Sequence, residues 1–393
     1  MRASACTQLN PSGRKRTASA ALSSVVSLLS SNENASTASS QEVRDMSSIS
    51  GSLIYMISHI SGVAPESWAM RVAPFGTVRE EATRKDALRV SRGRALVRIT
   101  HASVGVTDAL AVRGDYLMQP VPRFVPGYDF IGIIEHLGAA DHPRLSVGQR
   151  VAGILPRMGA HATRISVAQS LLVPVPDSLD PVIAATAPLD AVTAQFALDA
   201  LDTKSGSVLV QGAGGAVGAW AVQLAAARNL TVFGTASTRT RAVAESFGAR
   251  VLDYRNPEWI DALRKMTNGG VAGVIDHTGR RDLQRVVMPE GRIVRIAFEG
   301  KQGHQRRATA AGFAAATLRR YARPAERICS TPMLVMLHRF AYRAALGDIL
   351  DRLDSGTLTP PQPRSYRFTD YRKAVADVTS TPPGEKSVLV MGH

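Results

Sequence analysis

The chain has 393 residues, of which 45% are hydrophobic and 20% are charged, and this balance fits a globular protein long enough for two domains and excludes disorder throughout. The formal net charge is +15, but arginine supplies 40 of the 47 basic residues, and such a bias alone does not predict a nucleic-acid partner. The two cysteines, Cys6 and Cys329, exclude a disulfide framework and a four-cysteine zinc site.

Residues 1–69 are predicted to form a disordered or targeting extension. Ser and Thr make up 17 of the first 50 residues, and such a composition cannot build a core. Basic residues ahead of the apolar run 20–29 weakly resemble a mitochondrial presequence, whereas Met46 or Met70 could equally be the true start of translation. We expect a cytoplasmic protein, with a mitochondrial location as the alternative, and a fold that needs only the residues from Met70 onward.

The sequence offers no candidate for a membrane-spanning helix, because no run of about 18 uninterrupted apolar residues occurs. Within the extension, the apolar stretch Ser52–Val63 is too short to cross a bilayer. It could instead pack as an added strand on the domain that follows.

Short strands interrupted by turn residues characterise the region from Met70 to residue 187. The first is ALVRIT at 95–100, and the segment 121–132 contains Pro122, Pro126 and Gly127. A further apolar run, 171–175, ends at Pro176. Closely spaced short strands with Gly and Pro between them predict a β-barrel or sandwich.

The pattern changes near Pro188, where apolar residues fall at helical spacing and a fully apolar strand, SVLV at 207–210, comes next. Strands and helices then alternate, and this predicts a parallel sheet with helices on both faces. The predicted strands are 231–236, 249–254, 270–279 and 292–298, the helices are 241–248 and 257–266, and the chain closes with a helix at 341–353 and a strand at 387–391.

The segment 301–343 is strongly basic. It holds nine Lys or Arg residues and one acid, Glu326. A solvated helix face is the ordinary interpretation of such a charge run. A docking surface, including peripheral contact with a membrane, is the alternative.

A glycine-rich turn follows the strand SVLV directly and leads into an alanine-rich helix, with the sequence QGAGGAVGAWAVQLAAA at 211–227. Strand, glycine turn and helix in this order are typical of a dinucleotide-binding fold, in which the helix N-terminus holds the pyrophosphate. The cofactor-binding residues predicted here are Gly212, Gly214, Gly215, Ala216, Val217 and Gly218.

The next strand ends without the acid that an NAD-preferring site places on the ribose 2′-hydroxyl. No Asp or Glu occurs between Thr203 and Ala244. Hydroxyl and guanidinium groups stand there instead, and these favour a 2′-phosphate. NADPH is therefore the predicted cofactor. The residues predicted to bind its ribose phosphate are Ser237, Thr238, Arg239 and Arg241, and Tyr254 is a further predicted cofactor-binding residue.

From Met70 to Gly392 the sequence resembles the medium-chain dehydrogenase/reductase superfamily and, within it, the zinc-free quinone oxidoreductase (zeta-crystallin-like) branch. The resembling blocks are 102–116, 126–138, 173–180, 188–198, 208–225 and 289–297. The resemblance implies an α/β protein with a GroES-like β-rich catalytic domain at 70–187 and a doubly wound Rossmann NADPH-binding domain at 188–318. It also implies a C-terminal segment, 319–393, that returns to the catalytic domain, and an active cleft between the domains. We expect the protein to form a homodimer.

The resemblance also allows the family's zinc sites to be compared. Zinc-dependent members place a cysteine where this chain has Gly105, and Gly-His-Glu where it has Gly127, Tyr128 and Asp129, so we expect no metal. Zinc-free members commonly carry an asparagine at position 105, and Gly105 departs from that pattern too.

The catalytic residues implied by the resemblance are Tyr116, Tyr128 and Thr193. Either phenol could donate a hydrogen bond to a substrate carbonyl, although packing at the domain interface is an equal alternative. Thr193 resembles a residue near the nicotinamide, and Asp108 is expected to anchor its loop. The predicted function is a zinc-independent, NADPH-dependent reductase of quinones or α,β-unsaturated carbonyls. The alternatives are an enoyl-thioester reductase and a non-catalytic, membrane-associated protein similar to vesicle amine transport proteins.

Overall fold

The structure, a computed structural model, describes residues 67–139 and 145–392. Two sheets dominate these residues, one of seven strands and one of six, and a separate two-stranded ribbon begins the described chain. The strands are β1 Trp68–Val72, β2 Val78–Ala82, β3 Arg94–Val104, β4 Asp129–Leu137, β5 Arg150–Ile154, β6 Arg164–Ala168, β7 Leu172–Pro174, β8 Ser207–Gln211, β9 Thr231–Ala236, β10 Arg250–Asp253, β11 Val271–Asp276, β12 Val287–Arg295, β13 Ala325–Ile328, β14 Gln362–Arg367 and β15 Glu385–Val390.

The helices connect and cover these sheets. They are α1 Val106–Val112, α2 Pro181–Ala184, α3 Pro188–Leu201, α4 Ala216–Ala226, α5 Arg241–Ser246, α6 Trp259–Met266, α7 Gln305–Leu318, α8 Thr331–Leu337, α9 Arg339–Asp354 and α10 Tyr371–Asp377. Short 3-10 turns occur at Lys85–Leu88, Gln169–Leu171, Asp282–Arg285, Arg319–Tyr321 and Phe368–Asp370.

The seven-stranded sheet forms the first domain, with strand order β14-β15-β3-β4-β5-β7 and β6 paired to β3. Its pairs are antiparallel except for β14 with β15. Strands β14 and β15 lie near the C-terminus, yet β15 pairs with β3 and sets Ser387 opposite Val104. The C-terminal strands therefore belong to the sheet of the first domain.

The six-stranded sheet is entirely parallel, with the order β10-β9-β8-β11-β12-β13. Its central strand β8 is almost completely buried. Helices cover both faces of a parallel sheet, so apolar residues are favoured at every position of such a strand. The β-rich first domain and this parallel sheet confirm the predicted fold class.

Helix α3 joins the two halves of the core. It packs against β4 and β5 of the first domain, against β11 and β12 of the parallel sheet, and against α4. The buried side chains of this helix, including Val192, Phe196 and Leu201, belong to a core cluster that runs through both sheets. Burial of these side chains holds the first domain against the parallel sheet.

Two of the predicted domain boundaries are wrong. The Rossmann domain was expected to end at residue 318, but β13 at Ala325–Ile328 pairs with β12 as the last strand of the parallel sheet. The first domain was expected to start at Met70, but β1 begins at Trp68, and Thr163 bonds to Trp68 through both its hydroxyl and its N–H. The remainder of the predicted extension, including Ser52–Val63, lies outside the described residues.

Candidate functional site

The glycine-rich turn lies between β8 and α4, at the carboxyl end of a central parallel strand. Gly212 has φ +64°, a conformation that favours glycine, and a Cβ on Gly218 would collide with the Gly212 carbonyl oxygen. Gly215 caps the helix N-terminally and is exposed together with Ala216. A Cβ on Gly215 would meet only the Gly212 oxygen, at 3.1 Å. The helix start is therefore open to an anion, and the turn fits a dinucleotide pyrophosphate.

The predicted ribose end lies after β9, next to this turn. A Cβ on Gly214 would collide with the Thr240 carbonyl oxygen, so the two loops are in contact. The Ser237 and Thr240 hydroxyls are 3.1 Å apart. Ser237 is partly exposed, and Thr238 is exposed. The loop therefore presents hydroxyl groups beside the glycine turn.

The two arginines of this loop have different surroundings. Arg241 donates to the Glu245 carboxylate at 3.1 Å and to the Val251 carbonyl at 3.2 Å, so it is held against its own helix. Arg239 is exposed and donates to the Thr381 carbonyl at 3.4 Å, its single hydrogen bond within residues 67–139 and 145–392. Of the two, Arg239 is freer to turn towards a phosphate. Tyr254, after β10, is exposed with the guanidinium of Arg255 5.4 Å from its ring centroid.

The structure brings the two predicted tyrosines together. The hydroxyls of Tyr116 and Tyr128 are 3.1 Å apart, and their rings meet edge to face. Burial raises the pKa of both phenols above the usual value, most strongly for Tyr128. Both phenols therefore keep their protons at neutral pH and can donate hydrogen bonds. Tyr128 is fully buried and Tyr116 half-buried, so Tyr116 is the more accessible of the pair.

Asp108 anchors its loop through two hydrogen bonds, as predicted. One of its carboxylate oxygens accepts a hydrogen bond from the Gly105 N–H and the other accepts one from the Gly127 N–H, both at 2.9 Å. The turn after β3 and the turn before Tyr128 are thereby held side by side.

Thr193 lies on α3 with its hydroxyl already bonded. It donates to the Leu189 carbonyl at 2.7 Å, and its oxygen is 2.6 Å from the Thr331 hydroxyl. The geometry thus gives Thr193 a role in holding α3 against the start of α8. Its catalytic role remains a prediction.

A buried cluster of charges beside Gly105 was not predicted from the sequence. Lys386 of β15 binds Asp190 at 2.5 Å, and the Asp129 carboxylate accepts from the Ser103 hydroxyl at 2.6 Å and from the Leu189 N–H at 2.9 Å. Burial raises the pKa of Asp129, and the Lys386 ammonium and these hydrogen bonds act in the opposite direction. The signal that could have drawn attention to the cluster is a lysine close to the apolar run VLV of the final strand.

Comparison with known families agrees with this architecture. Residues 91–177 match the alcohol dehydrogenase GroES-like domain, and residues 216–328 match the zinc-binding dehydrogenase family. Together the matches span about half of the chain and contain β3 to β7 of the first domain and α4 to β13 of the second. The chain belongs to the medium-chain dehydrogenase/reductase superfamily. Membership of this superfamily implies a nicotinamide cofactor.

Each individual relative is matched over only part of its own length. The trans-enoyl reductase caaB of Aspergillus niger is 32% identical over 207 residues, which are 46% of this chain and 56% of that protein. The synaptic vesicle membrane protein VAT-1 homolog of Danio rerio is 31% identical over 209 residues, which are 51% of this chain and 43% of that protein. The chain thus spans about half the length of the curated relatives it matches.

A quinone oxidoreductase from Pseudomonas syringae pv. Tomato DC3000 has a similar fold, with a TM-score of 0.68 at 20% identity over 83% of this chain and 100% of that one. Within residues 67–139 and 145–392, no group of three or more His, Cys, Asp or Glu side chains is arranged to hold a metal ion. No helix in the same part of the chain is long and apolar enough to cross a bilayer.

Proposed function

We propose that the chain is a zinc-independent, NADPH-dependent reductase of quinones or α,β-unsaturated carbonyls. The observation that carries this proposal is the Tyr116–Tyr128 pair, since two protonated phenols 3.1 Å apart can donate to a carbonyl oxygen but cannot accept a proton. When bound, the cofactor supplies a hydride from its nicotinamide. The residues that would hold it are Gly212 to Gly218 at the pyrophosphate and Ser237 to Arg239 at the ribose phosphate.

The protein's part in the reaction is to bind the acceptor and stabilise the negative charge that develops on its oxygen. Tyr116 donates a hydrogen bond to that oxygen, and Tyr128 orients the Tyr116 hydroxyl. The proton that completes the reduction comes from solvent. Conjugated acceptors suit this arrangement, because they spread the developing charge without a strong Lewis acid.

The experiment that tests this function follows NADPH absorbance with a panel of quinones, enones and enoyl thioesters. Oxidation of NADPH by a quinone or an enone supports the proposal. Turnover confined to enoyl thioesters would favour the second candidate, an enoyl-thioester reductase, to which the similarity to a trans-enoyl reductase points. Tight NADPH binding without turnover would favour a non-catalytic protein.

We further propose that the protein forms a homodimer through a surface made of β13, the edge strand of the parallel sheet, and of exposed apolar side chains that precede and follow β13 in the chain. This surface comprises Leu318, Tyr321, Leu337 and Phe340, whose exposed fractions are 83%, 79%, 64% and 89%. An edge strand flanked by apolar side chains is suited to pairing with another chain. The nine basic residues of 301–343 make an anionic membrane the alternative occupant.

Light scattering of the wild type and of Phe340→Ser tests the homodimer. A dimer that becomes a monomer in the variant supports it. A monomeric wild type that sediments with anionic vesicles at low salt, and not at high salt, would support the membrane instead.

We place the protein in the cytoplasm, with mitochondria as the alternative.

A further inference from the structure

Gly105 leaves a space beside a buried ammonium group. Lys386 follows Glu385 in β15, and the β15–β3 register sets its neighbour Ser387 opposite Val104, so that Lys386 lies next to Gly105. A Cβ built on Gly105 would be 3.5 Å from the Lys386 Nζ and 4.0 Å from an Asp108 carboxylate oxygen. Gly105 itself is partly exposed. A side chain at position 105 would therefore touch the Lys386 Nζ, and glycine leaves that contact unfilled.

The ammonium is kept charged by its neighbours. Burial lowers the pKa of Lys386, but Asp190, Asp129 and Asp108 outweigh burial and leave this pKa above its usual value. The hydrogen bond to Asp190 is 2.5 Å long, and both side chains are largely buried. A strongly hydrated cation is stable in such a place only when carboxylates compensate for the lost water.

Hydrogen-bond donors remain on this ammonium. It carries three N–H groups, and Asp190 is its single hydrogen-bond partner among the residues that the structure describes. Each of the other two nearby carboxylates accepts two hydrogen bonds from other groups, Asp129 from Ser103 and Leu189, and Asp108 from Gly105 and Gly127. Two N–H groups are thus left on the atom that borders Gly105.

We propose that Lys386 donates a hydrogen bond, through the space left by Gly105, to the carbonyl oxygen of the acceptor. This inference rests on the proposed reductase function and assigns the acceptor a neutral conjugated carbonyl, because the three aspartates around the ammonium oppose a carboxylate or a phosphate. During reduction the hydride adds to a conjugated carbon, the displaced π electrons move to the oxygen, and solvent supplies the proton. The lysine keeps its own proton and only donates the hydrogen bond.

A purely structural ion pair is the competing explanation, since the Lys386–Asp190 contact also ties β15 to α3. Gly105→Val separates the two explanations. Its backbone angles, φ −128° and ψ 175°, are extended and accept a β-branched residue, so the substitution covers the Nζ and leaves the ion pair in place. Val106→Ile is the matched control, because Val106 is exposed beside Gly105.

The experiment measures binding of 2-cyclohexenone labelled with ¹³C at the carbonyl, in the complex with NADP⁺, where no turnover occurs. Infrared difference spectra report the carbonyl stretch, and NMR titration reports affinity. We expect a stretch lowered by hydrogen bonding in the wild type and in Val106→Ile. In Gly105→Val and Lys386→Met we expect the lowering to be lost and affinity to fall about tenfold, the value of one charged hydrogen bond. Lys386→Arg should restore part of the lowering of the stretch and part of the affinity.

An unchanged stretch and affinity in Gly105→Val would overturn the inference, even if Lys386→Met fails to fold because Asp190 is left unpaired. A wild type that binds no cyclohexenone would overturn it too. Failure of the reductase function would give another result. The protein would still bind the carbonyl in a lysine-dependent way, but no acceptor of the panel would oxidise NADPH.

Discussion

Tyr116 is the residue whose hydroxyl the proposed chemistry uses most directly. Tyr116→Phe removes one donor to the developing negative charge, and we expect kcat/KM to fall about 10- to 100-fold with an unchanged Kd for NADPH. Since burial raises the pKa of this phenol, the wild-type rate should show no loss from phenol ionisation until above about pH 10. Steady-state kinetics across pH test both statements. Tyr366→Phe, which loses only a bond to Asp377, serves as the control.

Arg239 is the residue that should select the cofactor, because its guanidinium is exposed and weakly bonded. Arg239→Ala should weaken NADPH binding about tenfold, which is about 1.4 kcal/mol, and leave NADH nearly unchanged. Calorimetry of both cofactors measures this difference. Arg228→Ala, which removes an arginine paired with Asp199 at 2.7 Å, should change neither. Equal losses of both cofactors in Arg239→Ala would mean that the arginine supports the loop rather than the phosphate.

At the scale of elements, a buried ion network spans three strands of the parallel sheet. Arg295 of β12 binds Asp276 of β11 at 2.6 Å and Glu326 of β13 through two bonds of 3.1 Å, and all three side chains are fully buried. Asp276 also accepts from the N–H of Gly279. His277, which lies between Asp276 and Gly279 in the chain, packs against Gly212 of the cofactor turn. The network therefore supports the loop beside the cofactor site.

Glu326→Gln tests the contribution of this network. Burial alone would raise the pKa of Glu326, but hydrogen bonds from Arg319 and Arg295 lower it to about 2. A lowered folded-state pKa adds stability above the unfolded value, and that stability is lost as pH falls from about 4.5 to about 2. We expect the variant to lose about 3 kcal/mol at pH 7 and to show a flatter decline over that window in urea titrations. Glu290→Gln, at an exposed pair with Arg323, should cost less than about 0.5 kcal/mol.

The strands of the parallel sheet differ in whether the sequence alone could predict them. Alternating apolar strands and helices from 188 to 298 were predictable because each buries aliphatic residues with the expected period. The strand AERI at Ala325–Ile328 was missed because its Glu326 is charged, and only a partner on another strand makes a buried carboxylate tolerable. The pairing of Lys386 with Asp190 was also not predicted, because the two residues are 196 apart in sequence and only the fold brings them together.

At the scale of the whole molecule, the described residues already belong to the folded unit at Ser67, ahead of Met70. Ser67 and Ala69 are buried, Thr83 donates to the Ser67 carbonyl at 2.6 Å, and Trp68 exchanges bonds with Thr163. A chain starting at Met70 should therefore melt several degrees below the full chain, whereas a chain starting at Glu66 should melt close to it. Thermal denaturation followed by circular dichroism makes the comparison. Equal melting of the two shortened chains would place the boundary at Met70 after all.

The central claim, that the chain transfers a hydride from NADPH to a conjugated carbonyl, is tested most directly by isotope transfer. NADPH deuterated at the nicotinamide C4 position is incubated with the protein and an enone, and the product is analysed by mass spectrometry and NMR. The account predicts one deuterium on the β-carbon of the saturated ketone, in a reaction that persists after dialysis against a chelator. A protein that binds NADPH, yields no deuterated product with any enone or enoyl thioester and oxidises no NADPH with any quinone would contradict it.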